Sequence, residues 1–158
     1  MNFTNIPTEL GLLTNLEIFV MDHRGGDDGG TIPTELGNCQ AMEYMQISAS
    51  HFVGTIPTEL GLLTNLSDLR IFGGMITGYV PSELGLLTNL DILMIARNRL
   101  EGTLPSELGN IQNLTTFGLW YNDLTGSIPS GVCESTGVEI YYDCTMEECE
   151  CCYLPCKK

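Results

Sequence analysis

Basic residues are scarce in this chain. Six Lys and Arg stand against twenty Asp and Glu in 158 residues, a formal charge of -14. Such an imbalance repels phosphate backbones and anionic lipid, which excludes nucleic acid and acidic membrane surfaces as expected partners. Long apolar runs are missing as well. No stretch approaches the roughly 18–20 residues that span a bilayer, and the opening MNFTNIPTEL has neither a basic start nor an apolar export core. This segment is expected neither to insert into a membrane nor to carry its own export signal. Histidine is limited to His23 and His51, in unlike settings and with no nucleophile at a relay spacing. Neither a glycine-rich phosphate loop nor a metal-binding histidine motif is present. The expectation is a protein that is not an enzyme, with no catalytic residue, no cofactor and no metal.

What is present is repetition. Pro7, Pro33, Pro57, Pro81, Pro105 and Pro129 recur at separations of 26, 24, 24, 24 and 24 residues. All but the last open the phrase P-(T/S)-E-L-G; after Pro129, Ser130-Gly131-Val132 takes its place. Between prolines the pattern is L-x-x-L-x-L-x-x-N-x-L-x-G-x-(I/L)-P. It is most complete as Leu90, Leu93, Ile95, Asn98, Leu100, Gly102, Leu104 and Pro105. Other copies run through Met42, Met45 and Ile47, through Leu66, Leu69 and Ile71, and through Leu114, Phe117 and Leu119.

Alternation around Leu93 and Ile95 points those two inward and leaves Ile92, Met94 and Ala96 on the opposite face. Each coil buries only one stripe, so coils must stack to form a core and the ends need caps. Pro-(Thr/Ser)-Glu-Leu-Gly suits a short helical turn, with proline at its start, glutamate on the positive N-terminal end and glycine expected to stop it. Asn98 and Asn122 are expected inside the turn after the strand, satisfying backbone groups; Ser50 and Gly74 hold that position elsewhere and predict looser turns.

The repeated phrase resembles the plant-type leucine-rich repeats of receptor-like kinase ectodomains and polygalacturonase-inhibitor proteins, over about residues 5–130. The resemblance implies an α/β-type repeat solenoid. This is a right-handed coil with a short-stranded parallel sheet on its concave face, a second line of extended structure at L-x-G-x-I-P, and 3-10 or short helical turns on the convex side. It divides the chain into a solenoid of about five repeats, 1–130, and a Cys-rich C-terminal cap, 131–158, similar to that of algal leucine-rich-repeat proteins.

The two ends depart from the pattern. After Leu16, Phe19 and Met21, the stretch 22–30 is two residues too long and is expected to bulge as a solvated loop; its Asp27 and Asp28 lack the spaced oxygen ligands of a calcium site. At the other end stand Cys133, Cys144, Cys149, Cys151, Cys152 and Cys156, with an apolar strand, 138–142, between the first two. Disulfides in an oxidising compartment are expected, connectivity left open. The alternative is a metal held by Cys149, Cys151, Cys152 and Cys156 as thiolates, but paired C-x-x-C knuckles are missing and Glu147, Glu148 and Glu150 disfavour thiolates. Cys39 is expected as a buried free thiol. Asn2, Asn65 and Asn113 stand in N-x-(S/T) sequons and are candidate N-glycosylation sites; the other reading is that this asparagine bonds to backbone, as Asn15 and Asn89 would.

Function has to come from the outward strand face. Its candidates for partner contact are Tyr44, Asp68, Arg70, Phe72, Met94, Arg97, Trp120 and Tyr121, a set rich in aromatics and arginine as interface hot spots are. Arg70 and Arg97 are expected to meet a partner's carboxylate. The plainer reading is that these side chains only pack on one another. The expected function is an extracellular or cell-surface module that binds a protein or peptide, as a receptor-like ectodomain or inhibitor does. Two alternatives stay open. One is binding to cell-wall polysaccharide or ice, which regular ranks of Thr would favour and which the outward strand positions lack. The other is that the chain is a fragment of a larger membrane receptor-like kinase, since it opens inside a repeat.

Overall fold

Every Pro-(Thr/Ser)-Glu-Leu-Gly phrase folds into a 3-10 turn. The computed structural model describes residues 5–23, 30–49, 51–135, 137–143 and 146. Within them the turns are Thr8–Leu12, Thr34–Asn38, Thr58–Leu62, Ser82–Leu86 and Ser106–Asn110, each entered from an extended proline. The first hydroxyl donates to the next glutamate's Oε2 at 3.2–3.4 Å. The leucine after it is buried in four of the five turns, at Leu36, Leu60, Leu84 and Leu108.

The glycine of the phrase differs from expectation. It lies inside the turn rather than ending it, and its role is between coils. A Cβ on Gly11, Gly37, Gly61 or Gly85 would overlap the backbone carbonyl of Glu35, Glu59, Glu83 or Glu107 in the following coil. Only a bare Cα lets successive turns stack this closely.

Nine strands follow in chain order among the described residues: β1 (Ile18–His23), β2 (Tyr44–Ala49), β3 (Asp68–Phe72), β4 (Thr77–Gly78), β5 (Ile92–Met94), β6 (Arg99–Thr103), β7 (Thr116–Gly118), β8 (Asp123–Thr125) and β9 (Glu139–Tyr141). Six of them form one parallel sheet in the order β1-β2-β3-β5-β7-β9, the concave face of the solenoid. The order is sequential because each coil lays its strand beside the last. The L-x-G-x-I-P stretch supplies a second parallel sheet, β4-β6-β8. One turn of α-helix, Ser130–Cys133, succeeds the last 3-10 turn.

Alternation on the strands sends Met45, Ile47, Leu69, Ile71, Leu93, Ile95, Phe117 and Ile140 into a continuous core. Full burial of such a side chain contributes about 1.5–3 kcal/mol, and no single coil could enclose them. Ala96 departs from the alternation: it was expected outward and is fully buried. Cys39 takes the apolar place that Leu63, Leu87 and Ile111 hold in later coils. Its Sγ lies 3.3 Å from the Leu10 carbonyl, and burial pushes its thiol up in pKa.

Asparagine closes the turn after the strand. Asn122 Nδ2 donates to the Ile95 and Leu119 carbonyls, both at 2.8 Å, and its Oδ1 accepts from the Leu100 N–H at 3.2 Å. Asn98 Nδ2 donates likewise to Ile71 and Ala96, but its Oδ1 has no partner among the described residues. Ser50, the loop at 24–29 and its Asp27 and Asp28 lie outside the described residues. No described helix is long and apolar enough to cross a membrane.

Candidate functional site

The concave sheet presents its outward residues in registered rows. One row runs Ile18, Tyr44, Asp68, Ile92, Thr116 and Glu139; the next runs Val20, Gln46, Arg70, Met94, Gly118 and Tyr141. Neighbours in a row sit one strand apart, about 4.8 Å, so long side chains interact along it.

Asp68 and Arg70, two apart on β3, share a face and form a bidentate ion pair. Arg70 Nε and Nη2 donate to Oδ1 and Oδ2 of Asp68, both at 2.8 Å. The guanidinium also lies 5.9 Å from the ring centre of Tyr44, whose hydroxyl is 2.7 Å from Gln46 Oε1. These hydrogen bonds to Asp68 push the arginine's pKa up. Arg70, read from sequence as able to meet a partner's carboxylate, already has one from its own strand.

Arg97 and Tyr121 occupy the same place in successive coils, just past β5 and β7. Both have left-handed backbones, φ 55° and 58°, where the preceding coil has Gly73 at φ 80°. This conformation costs a non-glycine residue about 1–3 kcal/mol, and the asparagine that follows each one anchors the turn. The Arg97 guanidinium comes to 5.4 Å from the Tyr121 ring centre, and both residues are exposed. Phe72, half-buried, ends β3 in register with Ser48.

The third cluster surrounds Trp120. Its ring folds back over Gly118, where a Cβ would collide with it and press on Met94. The ring meets Tyr141 edge-on, centroids 5.7 Å apart at 65°. The Tyr141 hydroxyl donates to Glu139 Oε2 at 2.8 Å, and that bond pushes the phenol's pKa up. Glu139 and Tyr141 were not among the candidates. The stretch 138–142 does read as a strand, but only register shows that Ile140 pairs with Phe117 and so continues the concave sheet.

The structure thus brings the eight candidate partner-contact residues to one face, seven of them in three clusters and Phe72 apart from these at the end of β3. The remaining sites divide. Asn65 Nδ2 and Asn113 Nδ2 donate at 2.9 Å to the Gln40 and Thr88 carbonyls of the preceding coil, as Asn89 does to Thr64. Both asparagines stay exposed. Cys133 is disulfide-bonded. Cys144, Cys149, Cys151, Cys152, Cys156 and Asn2 lie outside the described residues.

Parallel strands in chain order, stacked 3-10 turns and an asparagine-closed turn after the strand define the class: this chain is a leucine-rich-repeat solenoid. The family described as Leucine Rich Repeat matches residues 89–111. No curated protein matches the chain in sequence. Among solved structures, the chain is similar to the LRR ectodomain of the Arabidopsis thaliana membrane receptor kinase GASSHO1/SCHENGEN3, in complex with CASPARIAN STRIP INTEGRITY FACTOR 2. That match has 28% identity, a TM-score of 0.78, and coverage of 88% of this chain and 16% of the other. The Arabidopsis receptor kinase HAESA ectodomain, in complex with an IDA peptide hormone, matches at 30% identity and TM-score 0.78 over 88% of this chain and 24% of the other. A plant ice-binding protein matches at 29% identity and TM-score 0.69 over 80% and 40%. The chain therefore spans well under two thirds of the length of these proteins.

Proposed function

We infer that this chain is a binding module whose concave face takes a protein or peptide, outside the cell or at its surface. The observation that carries the reading is the gathering of Tyr44, Phe72, Met94, Arg97, Trp120 and Tyr121 on one face, on the concave strands and just past their ends, where aromatics and arginine are enriched as at interface hot spots. The receptor ectodomains that resemble the chain, one solved with CASPARIAN STRIP INTEGRITY FACTOR 2 and one with an IDA peptide hormone, support it. On this reading the Cys-rich segment 131–158 is the disulfide-closed cap expected from the sequence, and Asn65 and Asn113, both exposed, carry glycans.

The test uses the chain secreted from a eukaryotic host as bait for a random linear peptide library on phage. For the tightest selected peptide, replacing Arg97 and Trp120 together by Ala should weaken binding by about thirtyfold or more, the scale of a hot-spot loss. The variant's circular dichroism should be unchanged. Equal affinity for the double variant contradicts the reading.

A second reading, ice binding, has its own observation. Thr31, Thr55 and Thr103 recur at one position in three of four coils along the β4-β6-β8 side, their methyl groups over Gly54, Gly78 and Gly126. This rank lies away from the concave strands, where threonine ranks were sought from sequence. Tyr79, 68% exposed and lying over Gly102, interrupts it. Ice-recrystallisation inhibition that disappears in Thr55→Lys would favour this reading; no inhibition would remove it.

A further inference from the structure

Two aromatic rings of the concave face already carry a cation from their own chain: Arg70 on Tyr44 and Arg97 on Tyr121. At the first, a carboxylate completes the arrangement, since Asp68 holds the guanidinium from the same strand. The register repeats these elements at the C-terminal end. The row that contains Asp68 passes through Ile92 and Thr116 to Glu139, another carboxylate. The row that contains Arg70 passes through Met94 to Gly118, which has no side chain, and there the Trp120 ring lies. A ring and a carboxylate recur, then, but the described basic residues place no cation on Trp120.

Indole attracts cations more strongly than phenol does, and the attraction grows as the site is shielded from water. Trp120 is half-buried against Tyr141, whose hydroxyl bonds to Glu139 and fixes the carboxylate's position. The net charge of -14 adds a long-range pull on a basic partner and repels an acidic one.

We propose that Trp120 and Glu139 form a seat for a Lys or Arg side chain of a bound peptide, completing between two chains the constellation that Tyr44, Arg70 and Asp68 complete within one. The proposal rests on the peptide-binding reading of the concave face and names the chemistry of the ligand. It predicts that the partner is basic, and that a cationic side chain lies against the sheet at the β7–β9 end.

The library-selected peptides test it separately from the parent reading. Clones that compete for the face should be enriched in Lys or Arg. Trp120→Leu, which keeps apolar bulk without the aromatic ring, and Glu139→Gln, which keeps the acceptor for Tyr141 without the charge, should each weaken the best clone by about tenfold. Replacing that clone's basic residue by norleucine should weaken it similarly and abolish the effect of Glu139→Gln. Clones that lose affinity on Arg97→Ala/Trp120→Ala but lack a basic residue, or whose response to Glu139→Gln survives norleucine, overturn the proposal and leave the face as a binding surface. Clones indifferent to every concave substitution overturn both.

Discussion

Asn98 and Asn122 hold the same place in successive coils but are not held equally. Asn122 satisfies three backbone groups, whereas Asn98 satisfies two and leaves Oδ1 buried without a partner among the described residues. Asn122→Ala should therefore destabilise by about 2–3 kcal/mol and Asn98→Ala by less, compared by urea unfolding; equal losses would mean that the Oδ1 bond contributes nothing. The conserved spacing of N in the repeat phrase made both asparagines legible in the sequence, because the turn that they close is local. The Asp68–Arg70 pair was within reach of the same reasoning, since residues two apart on a strand share a face, yet composition suggested a free arginine. Titration supplies another residue-scale test. The bond to Glu139 raises the Tyr141 pKa above the ordinary tyrosine value. Its contribution is thus present below the unfolded value and is lost only as pH rises through the higher folded value. Ultraviolet difference titration should show one phenol returning toward the ordinary range in Glu139→Ala, which removes the acceptor; an unchanged titration would contradict the assignment. Cys39, with its thiol raised by burial, should resist thiol reagents in the native protein at mildly alkaline pH and react once the chain is unfolded.

Among elements, the 3-10 turn shows where reading from sequence stops. Proline, glutamate and leucine give the turn's place and its buried side, and these are properties of a single coil. The glycine's role is not, because its constraint comes from the backbone of a coil 24 residues away. Gly61→Ala, whose Cβ would meet the Glu83 backbone, should cost about 2–4 kcal/mol. Gly73→Ala meets nothing within 4 Å and has only its φ of +80° to overcome, so about 1 kcal/mol is expected. Denaturant midpoints of the two variants decide it, and a reversed order would contradict the stacking explanation. The strand face follows the same division. Outward positions were readable from alternation, but the folding of Trp120 over Gly118 and the contact of Trp120 with Tyr141 depend on neighbouring coils. Glu139 escaped notice for that reason: after Pro129 the repeat phrase lapses, and nothing local says that Ile140 continues the row of Phe19, Met45, Leu69, Leu93 and Phe117.

At the scale of the molecule, sequential stacking explains both the economy of the fold and the shape of its binding face. Each coil adds one strand, so side chains far apart in sequence line up in rows, and a six-strand surface is assembled from short segments. The two ends differ. The C-terminal end gains β9, whereas Leu10, Phe19 and Met21 of the first coil stay only half-buried around an apolar recess of about 260 Å³. The central claim is that partners are met on the concave sheet. Hydrogen–deuterium exchange on the chain with and without its best selected peptide tests this most directly. The account predicts slowed exchange in segments 68–72, 92–97 and 116–121, with the 3-10 turns unaffected; protection confined to the β4-β6-β8 side, or to the convex turns, would contradict it.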